Sequence, residues 1–568
     1  MLSRVERLIG QKGVMGGTFH SFCARVLRRY GQYIGLDPSF SIFDSSDQLD
    51  VVKQAMEAVG VDAKTQKPSS VLATISSAKS ELIGPQDYVD YARGTFQQNV
   101  AKVYLAYNQL LRRYKALDFD DLLVEMVNLL KTQPEVLAKL QDQFQYILVD
   151  EYQDTNKAQY EITRSLASKY RHLTTVGDAS QAIYSWRGAD YRNLLLLKQD
   201  FPNLTVLNLE QNYRSTQNIL DAAYSIISNN KSHPILKLWT DQTAGDKVGI
   251  YEADTEGNEA WFVVQKVQQV LDLGGKFSDL AVLYRTNAQS RVLEEALLHS
   301  GIPYVLVGGV RFYERKEIKD VLCYLRLLLH PEDQVSLKRA EKIGKGRLAK
   351  LQQVDIDTSL PSLEILDQVL KMSGYLELYD PNDEEDLARL ENIKELRSVA
   401  EQFPKLVDFL ENVALTEKEA HRHKVAEVQS GAVTLMTLHS AKGLEFPQVI
   451  MVGMEEGLFP HSRSLMDPTE MEEERRLAYV GMTRAMKKLY LTYTRRRLFF
   501  GQRSSNIVSR FLSDIPEKLL EFTSEGSIPD RSGDSRRVGI GSHSKVGSKW
   551  GFDAEGNWKW SPDDDLPF

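Results

Sequence analysis

Seven short apolar runs punctuate the chain: QYILVDE at 145–151, LTTVGD at 173–178, LTVLNLE at 204–210, LAVLYRT at 280–286, GAVTLMTLH at 431–439, PQVIMVG at 447–453 and KKLYLTYT at 487–494. Rich in β-branched residues and without a strict apolar–polar alternation, they predict strands covered on both faces. Helix-period segments such as 157–170 and 290–300 lie between many of them, so the expected building unit is strand–helix–strand with parallel pairing. Two longer stretches read as helical throughout: 41–118, with SDQLDVVKQAMEAV and VAKVYLAYNQLLRRY, and the charged 321–429. The pattern therefore predicts an α/β chain with two parallel-sheet cores, 1–40 plus 119–215 and 216–320 plus 430–515. Each core hosts a helical insertion, 41–118 in the first and 321–429 in the second. Residues 516–568 are expected to form a flexible tail, because Gly, Ser and Pro crowd it and few aliphatics remain to offset its ordering entropy.

Composition narrows the class without giving a function. A length of 568 residues fits several domains, and 42% hydrophobic with 26% charged residues is ordinary for a globular protein. No apolar run approaches the roughly 20 residues of a membrane span, and the charged start MLSRVERLIG is no secretory signal. Two cysteines, Cys23 and Cys323, exclude a disulfide framework and a multi-cysteine zinc site, and point to a reducing, cytoplasmic compartment. The net charge of −8 excludes a globally basic coat, but nucleic acid needs only a local groove of Lys and Arg.

Chemistry concentrates where the predicted strands end. In YILVDEYQDTN (146–156) a strand delivers Asp150 and Glu151 to its C-terminal end, where ligands bind in open α/β sheets. Such a pair suits Mg²⁺ binding by one carboxylate and water activation by the other; a plain acidic loop is the alternative. VGDASQAIYSWRGAD (176–190) ends a strand at Asp178 and then offers Gln181, suited to sense a γ-phosphate or hold a water. It goes on to Tyr184, Trp186 and Arg187, two aromatics beside a cation, a combination on which single-stranded bases stack; a core tryptophan is the alternative for Trp186. LEQNYRST (209–216) sets Tyr213 to stack on a purine and Arg214 to reach a phosphate, ahead of a helix that Ser215-Thr216 could cap. TLHSAKGLEF (437–446) turns at Gly443, and EEERRLAYVGMTRA (472–485) places Arg484 on a helix before a strand. GTFHSFCARVLRRYG (17–31) reads as a helix with a basic face of Arg25, Arg28 and Arg29.

In this order, together with LDFDDLL (117–123), VLYRTNAQSR (282–291) and VGGVRFYERKEIKD (307–320), these segments resemble superfamily 1 DNA helicases of the UvrD/PcrA/Rep group over residues 1–515. The resemblance implies two RecA-like cores with ATP between them and single-stranded DNA across their top, driven 3′ to 5′ by ATP. It assigns Mg²⁺ to Asp150 and the catalytic base to Glu151. It assigns the γ-phosphate to Gln181, Arg214 and Arg484, the adenine to Tyr213 and the ribose to Glu445. Trp186, with Tyr184 and Arg187, would stack and clamp DNA bases, and Phe19, His20, Arg285, Asn287 and His439 would line the DNA track. Implied cofactors are ATP and Mg²⁺; implied partners are single-stranded DNA and ss/ds junctions, with no membrane.

The chain departs from the family pattern in three places. It contains no GxxxxGK[ST] phosphate loop, so the first core is expected to be N-terminally truncated and Met1 internal to a longer frame; GKGR at 344–347 follows no predicted strand. GDASQ carries Ser180 where an acid often stands, and the second insertion is short for the group. Two readings follow: an ATP-dependent DNA helicase with an incomplete N-terminus, or a non-hydrolysing DNA-binding or regulatory protein derived from the same core. The whole set Asp150, Glu151, Gln181, Arg214 and Arg484 favours the first. Finally, DDDLPF at 563–568 resembles the acidic tip of bacterial single-stranded-DNA-binding proteins, which predicts that Phe568 docks in the pockets that accept that tip, recruiting repair or replication partners or competing for them; a solubilising acidic end is the alternative.

Overall fold

The computed structural model describes residues 2–10, 14–63, 65–381, 383–414, 416, 431–499 and 502–523. The expected acidic tip and most of the expected tail lie outside the described residues. The chain divides into two compact units: Met1–Asn208 with His233–Ile235, and Leu209–Ser232 with Leu236–Phe568.

Unit 1 is mostly helical. β1 (Ser41–Ile42) and β2 (Ala116–Leu117) pair in parallel at the base of the first insertion. The insertion closes on its own core of Val51, Ile75, Val103 and Tyr107. The base is locked by Lys79, buried between Asp118 (2.6 Å) and Asp121 (2.7 Å), with Tyr107 also donating to Asp118. β3 (Tyr146–Val149) and β4 (His172–Thr175) form a two-stranded parallel sheet, joined by the helix Lys157–Ala167. Asn156 starts that helix: its side chain accepts from Gln159 N while Gln159 reaches back to Asn156 N.

Unit 2 is built on seven strands: β5 (Val248–Ala253), β6 (Leu280–Tyr284), β7 (Tyr304–Val307), β8 (Val433–Thr437), β9 (Phe446–Met451), β10 (Ala485–Thr494) and, beyond the hairpin β11 (Arg496–Phe499) and β12 (Gln502–Ser505), β13 (Leu520–Phe522). They run in the order β13-β5-β10-β9-β6-β8-β7 with every pairing parallel. β6 is buried at every position, as expected of a strand covered on both faces. The second insertion packs around Ile318, Leu366, Leu396 and Phe409, and its core already includes Phe312, upstream of the expected start at 321.

Three expectations are corrected. Residues 204–210 form no strand, and Val206, Leu207 and Leu209 stand exposed. Residues 209–215, expected on the first core, belong to the second unit, where Ser215 Oγ donates to Ala485 O (2.6 Å) and Thr216 N to Met486 O (3.2 Å) at the start of β10. Residues 516–523 are not the flexible tail expected there, because Leu520–Phe522 pairs with β5 along the sheet edge. The runs at 248–253 and 304–307 had not been singled out as strands; both are short, and only the sheet supplies their neighbours.

Candidate functional site

The unit 1 site starts where β3 and β4 end. Asp150 and Glu151 are both exposed, and Glu151 holds a left-handed backbone (φ 51°, ψ 43°), a conformation that non-glycine residues adopt seldom and keep mainly at functional sites. Gln153, buried beneath them, fixes this turn. Its Nε2 donates to Glu151 Oε2 (2.5 Å) and its Oε1 accepts from Asp178 N (3.0 Å), so one amide clamps the ends of both strands. Gly177 leaves the room: a Cβ there would lie 2.7 Å from Gln153 Oε1. Asp178 in turn accepts from Ser180 N and from Gln181 Nε2, both at 2.9 Å, which holds the Gln181 side chain at the same strand end.

Asp150 suits Mg²⁺. Its Oδ1 accepts from Glu151 N (3.0 Å), and Mg²⁺ is commonly held by one or two carboxylates together with phosphate oxygens and water. Among the described residues no group of three or more His, Cys, Asp or Glu side chains is arranged for a metal, so the ion would need oxygens brought by a nucleotide.

The loop after Gln181 carries the aromatic pair. Trp186 is 48% exposed, and Tyr184 meets it edge-on at 6.5 Å between ring centroids. This exposure disfavours the core-tryptophan alternative. The side chain of Arg187 lies outside the described residues. Phe19 packs against the core beneath the basic helix Phe19–Tyr30. His20 meets Phe119 edge-on at 6.0 Å, and burial lowers its imidazole below the ordinary value, favouring the neutral form.

Unit 2 gathers the other candidates. Tyr213 is 78% exposed, its hydroxyl donating to Gln211 Oε1 (2.9 Å) and its carbonyl accepting from Gln242 Nε2 (2.8 Å). Arg214 Nε donates to Glu445 Oε2 (2.6 Å), and Arg214 Nη1 to Thr483 O (3.3 Å). This ion pair is partly solvated and contributes little to stability, so its members can exchange each other for a ligand. Gly443, at φ 81°, makes the turn that delivers Glu445. Arg484 lies just past the end of the helix Pro468–Met482, not on it, and is buried; its Nε donates to Val480 O (2.9 Å) and its Nη1 to Leu444 O (3.3 Å). The helix at 217 does begin after Thr216, but that hydroxyl has no hydrogen-bond partner and makes no cap.

Arg285 has a partner inside unit 2: it grips the buried Glu474 with Nε (2.9 Å) and Nη2 (2.7 Å). Burial pushes the Glu474 carboxyl up, and Arg285 more than offsets this, leaving it below the ordinary range. A phosphate at Arg285 would have to compete with that carboxylate. Asn287 and His439 each open a short 3₁₀ turn directly after β6 and β8, at the C-terminal ends of neighbouring strands.

Gln153 and Gln211 were not singled out in the sequence. Both sit inside recognised motifs, so adjacency to Glu151 and Tyr213 was the available signal.

Two family profiles match the chain. The UvrD/REP helicase N-terminal domain covers residues 1–202, and the UvrD-like helicase C-terminal domain covers 207–371 and 363–496. Among similar proteins, the ATP-dependent DNA helicase PcrA of Bacillus subtilis is 44% identical over 581 residues, spanning 92% of this chain and 79% of that protein. The ATP-dependent DNA helicase PcrA of Staphylococcus aureus is 42% identical over 583 residues, spanning 93% and 79%.

Proposed function

The chain belongs to the UvrD/REP helicase family, and from that premise we propose that it is ATP-dependent DNA helicase machinery. It moves 3′ to 5′ on single-stranded DNA and opens ss/ds junctions in repair or replication. The observation that carries the reading is the clamp at the end of β3 and β4. Gln153 fixes Glu151 and Asp178, Asp178 fixes Gln181, and the loop that continues from Gln181 presents Trp186. Groups suited to hydrolysis and groups suited to base stacking therefore share one short stretch of backbone.

In this reading Asp150 holds Mg²⁺ and Glu151 takes the proton of the attacking water. Gln181, Arg214 and Arg484 read the γ-phosphate, Tyr213 stacks on the adenine and Glu445 holds the ribose. Arg214 and Glu445 release one another when the nucleotide arrives. Tyr184, Trp186 and Arg187 stack and clamp the DNA, and Phe19, His20, Asn287 and His439 line its path. Arg285 joins them only by giving up part of its pairing with Glu474. The DDDLPF segment recruits partner proteins; a peptide titration in which Phe568→Ala leaves binding unchanged would reduce it to a charged tail.

A second reading rests on a specific observation: the 568 residues contain no GxxxxGK[ST], so nothing in them matches the backbone cradle and lysine that hold β- and γ-phosphates. Strand displacement on 3′- and 5′-tailed duplexes separates the two. It is run with the chain alone and with a phosphate-binding strand, loop and helix fused ahead of Met1. The helicase reading expects ATP-dependent opening of the 3′-tailed substrate by the fusion, abolished by Glu151→Gln. DNA binding without opening in either form supports the non-hydrolysing reading, and opening of the 5′-tailed substrate alone refutes the polarity.

A further inference from the structure

The loop that presents Trp186 is built from two short 3₁₀ turns, Ala179–Gln181 and Ser185–Arg187. Turns of this kind carry few repeating hydrogen bonds, so the placement of the loop depends on its anchors. Ile183, fully buried, anchors the middle. Beyond it, Asp190 N donates to Thr155 O (3.0 Å) and Asn193 Nδ2 donates to the same carbonyl (2.7 Å), in the turn that follows Glu151.

One more side chain touches both ends of the loop. His233 is buried, with Nε2 3.1 Å from Ser180 Oγ. Its ring meets Tyr191 edge-on, with centroids 5.8 Å apart and planes at 61°. Ser180 and Tyr191 flank the 181–190 segment, so a single imidazole spans the two ends of the loop that holds Gln181, Tyr184 and Trp186. His233 arrives from far along the chain: His233–Ile235 packs with unit 1 although the residues on either side of it belong to unit 2. Ser180 is the position where the family pattern often carries an acid. Here it is a buried hydroxyl within hydrogen-bond distance of an imidazole, so the buried polar atoms of both are matched.

We propose that His233 is a positioning residue for DNA binding: it pins both ends of the 181–190 loop and so holds Trp186 where a base can stack on it. The same pin steadies the turn that carries Gln181. The inference rests on the reading of Trp186 as a base-stacking residue, and the experiment is arranged so that the two can fail separately.

The experiment is a double-mutant cycle on oligo-dT affinity with the full 568-residue chain at fixed salt. W186A is expected to weaken binding about 5- to 150-fold, the worth of one stacked base. H233A is expected to weaken it about 3- to 10-fold, the worth of one hydrogen bond. The double variant should bind no worse than W186A alone, because a pin has no effect once the ring it positions is gone. H233Q, which keeps a donor and an acceptor on the side chain, should recover most of the loss. If W186A binds like the parent, the stacking reading itself fails. If W186A weakens binding but H233A is silent or adds to it in full, the pin is wrong and the stacking reading survives. Should H233A not fold, S180A carries the same cycle, with non-additivity against W186A expected and full additivity overturning the proposal.

Discussion

Strands β6 and β3 of this protein begin from similar sequence and end differently. β6 in unit 2 reads LAVLY and is buried at every residue. β3 in unit 1 reads YILV, equally apolar, yet Tyr146 is 71% and Leu148 78% exposed while Ile147 and Val149 are half-buried. The difference lies in the neighbours. β6 sits between β8 and β9 in a seven-stranded sheet, whereas among the described residues β3 pairs with β4 alone and leaves Tyr146 and Leu148 exposed. Apolar character thus measures a strand's demand for cover, and the assembled sheet decides whether the demand is met. The candidate residues differ in the same way: Arg285 and Arg214 of unit 2 are paired with Glu474 and Glu445, while Asp150 and Glu151 of unit 1 are exposed.

The largest expected effect tests that chemical contrast. The 568-residue chain by itself should show background ATP hydrolysis with or without DNA, because its sequence contains no GxxxxGK[ST] phosphate loop. Robust turnover that Glu151→Gln abolishes would overturn this and would place a working cradle among residues not recognised above.

Next comes the closed electrostatics of unit 2. Arg497 is buried between Glu259 (2.6 Å) and Glu455 (2.7 Å), and Glu455 also accepts from Thr494 N (2.8 Å) and from Asn506. Removing Arg497 leaves two buried carboxylates without a countercharge, so Arg497→Met should cost about 3–5 kcal/mol in urea denaturation. Burial pushes the Glu455 carboxyl up, and Arg497 with the Thr494 hydrogen bonds more than offsets it, holding it below the ordinary range. A depressed carboxylate contributes fully above its unfolded value of about 4.3 and loses that contribution as pH falls through the lower folded value. The parent should therefore lose stability on acidification below about pH 4, with a flatter acid limb in Glu455→Gln. An unchanged limb would show that this carboxylate is not the group being titrated.

The sheets themselves can be compared directly. Leu283→Ala in β6 should cost about 2–5 kcal/mol through lost burial and a residual cavity, while Leu148→Ala in β3 should stay within about 0.5 kcal/mol. Equal losses would mean that the β3 face is covered in solution. The smallest effect is on binding: Trp186→Ala should weaken single-strand affinity by about 1–3 kcal/mol and leave thermal stability close to that of the parent. A lower melting temperature with unchanged affinity would make Trp186 a packing residue after all.

Much of this was legible in the order of residues. Six of the seven apolar runs became strands, and both insertions became helical clusters, because periodicity reports directly which side of an element seeks cover. The motif pairs Asp150-Glu151 and Tyr213-Arg214 were legible because each is contiguous and lies where an element ends. The run at 204–210 has the composition of a strand but forms none, because composition reports a preference and not the strand pairing that tertiary context supplies.

What the sequence determined by itself is most of the elements, the family and the candidate residues for the chemistry, since these depend on local spacing. The tertiary structure alone decided which of those residues are already committed. It gave Arg285 to Glu474 and Arg214 to Glu445, moved residues 209–215 to the second unit, and brought His233 across 53 positions to Ser180. Such pairings join residues far apart in the chain, and their energies depend on burial and distance that no local pattern encodes.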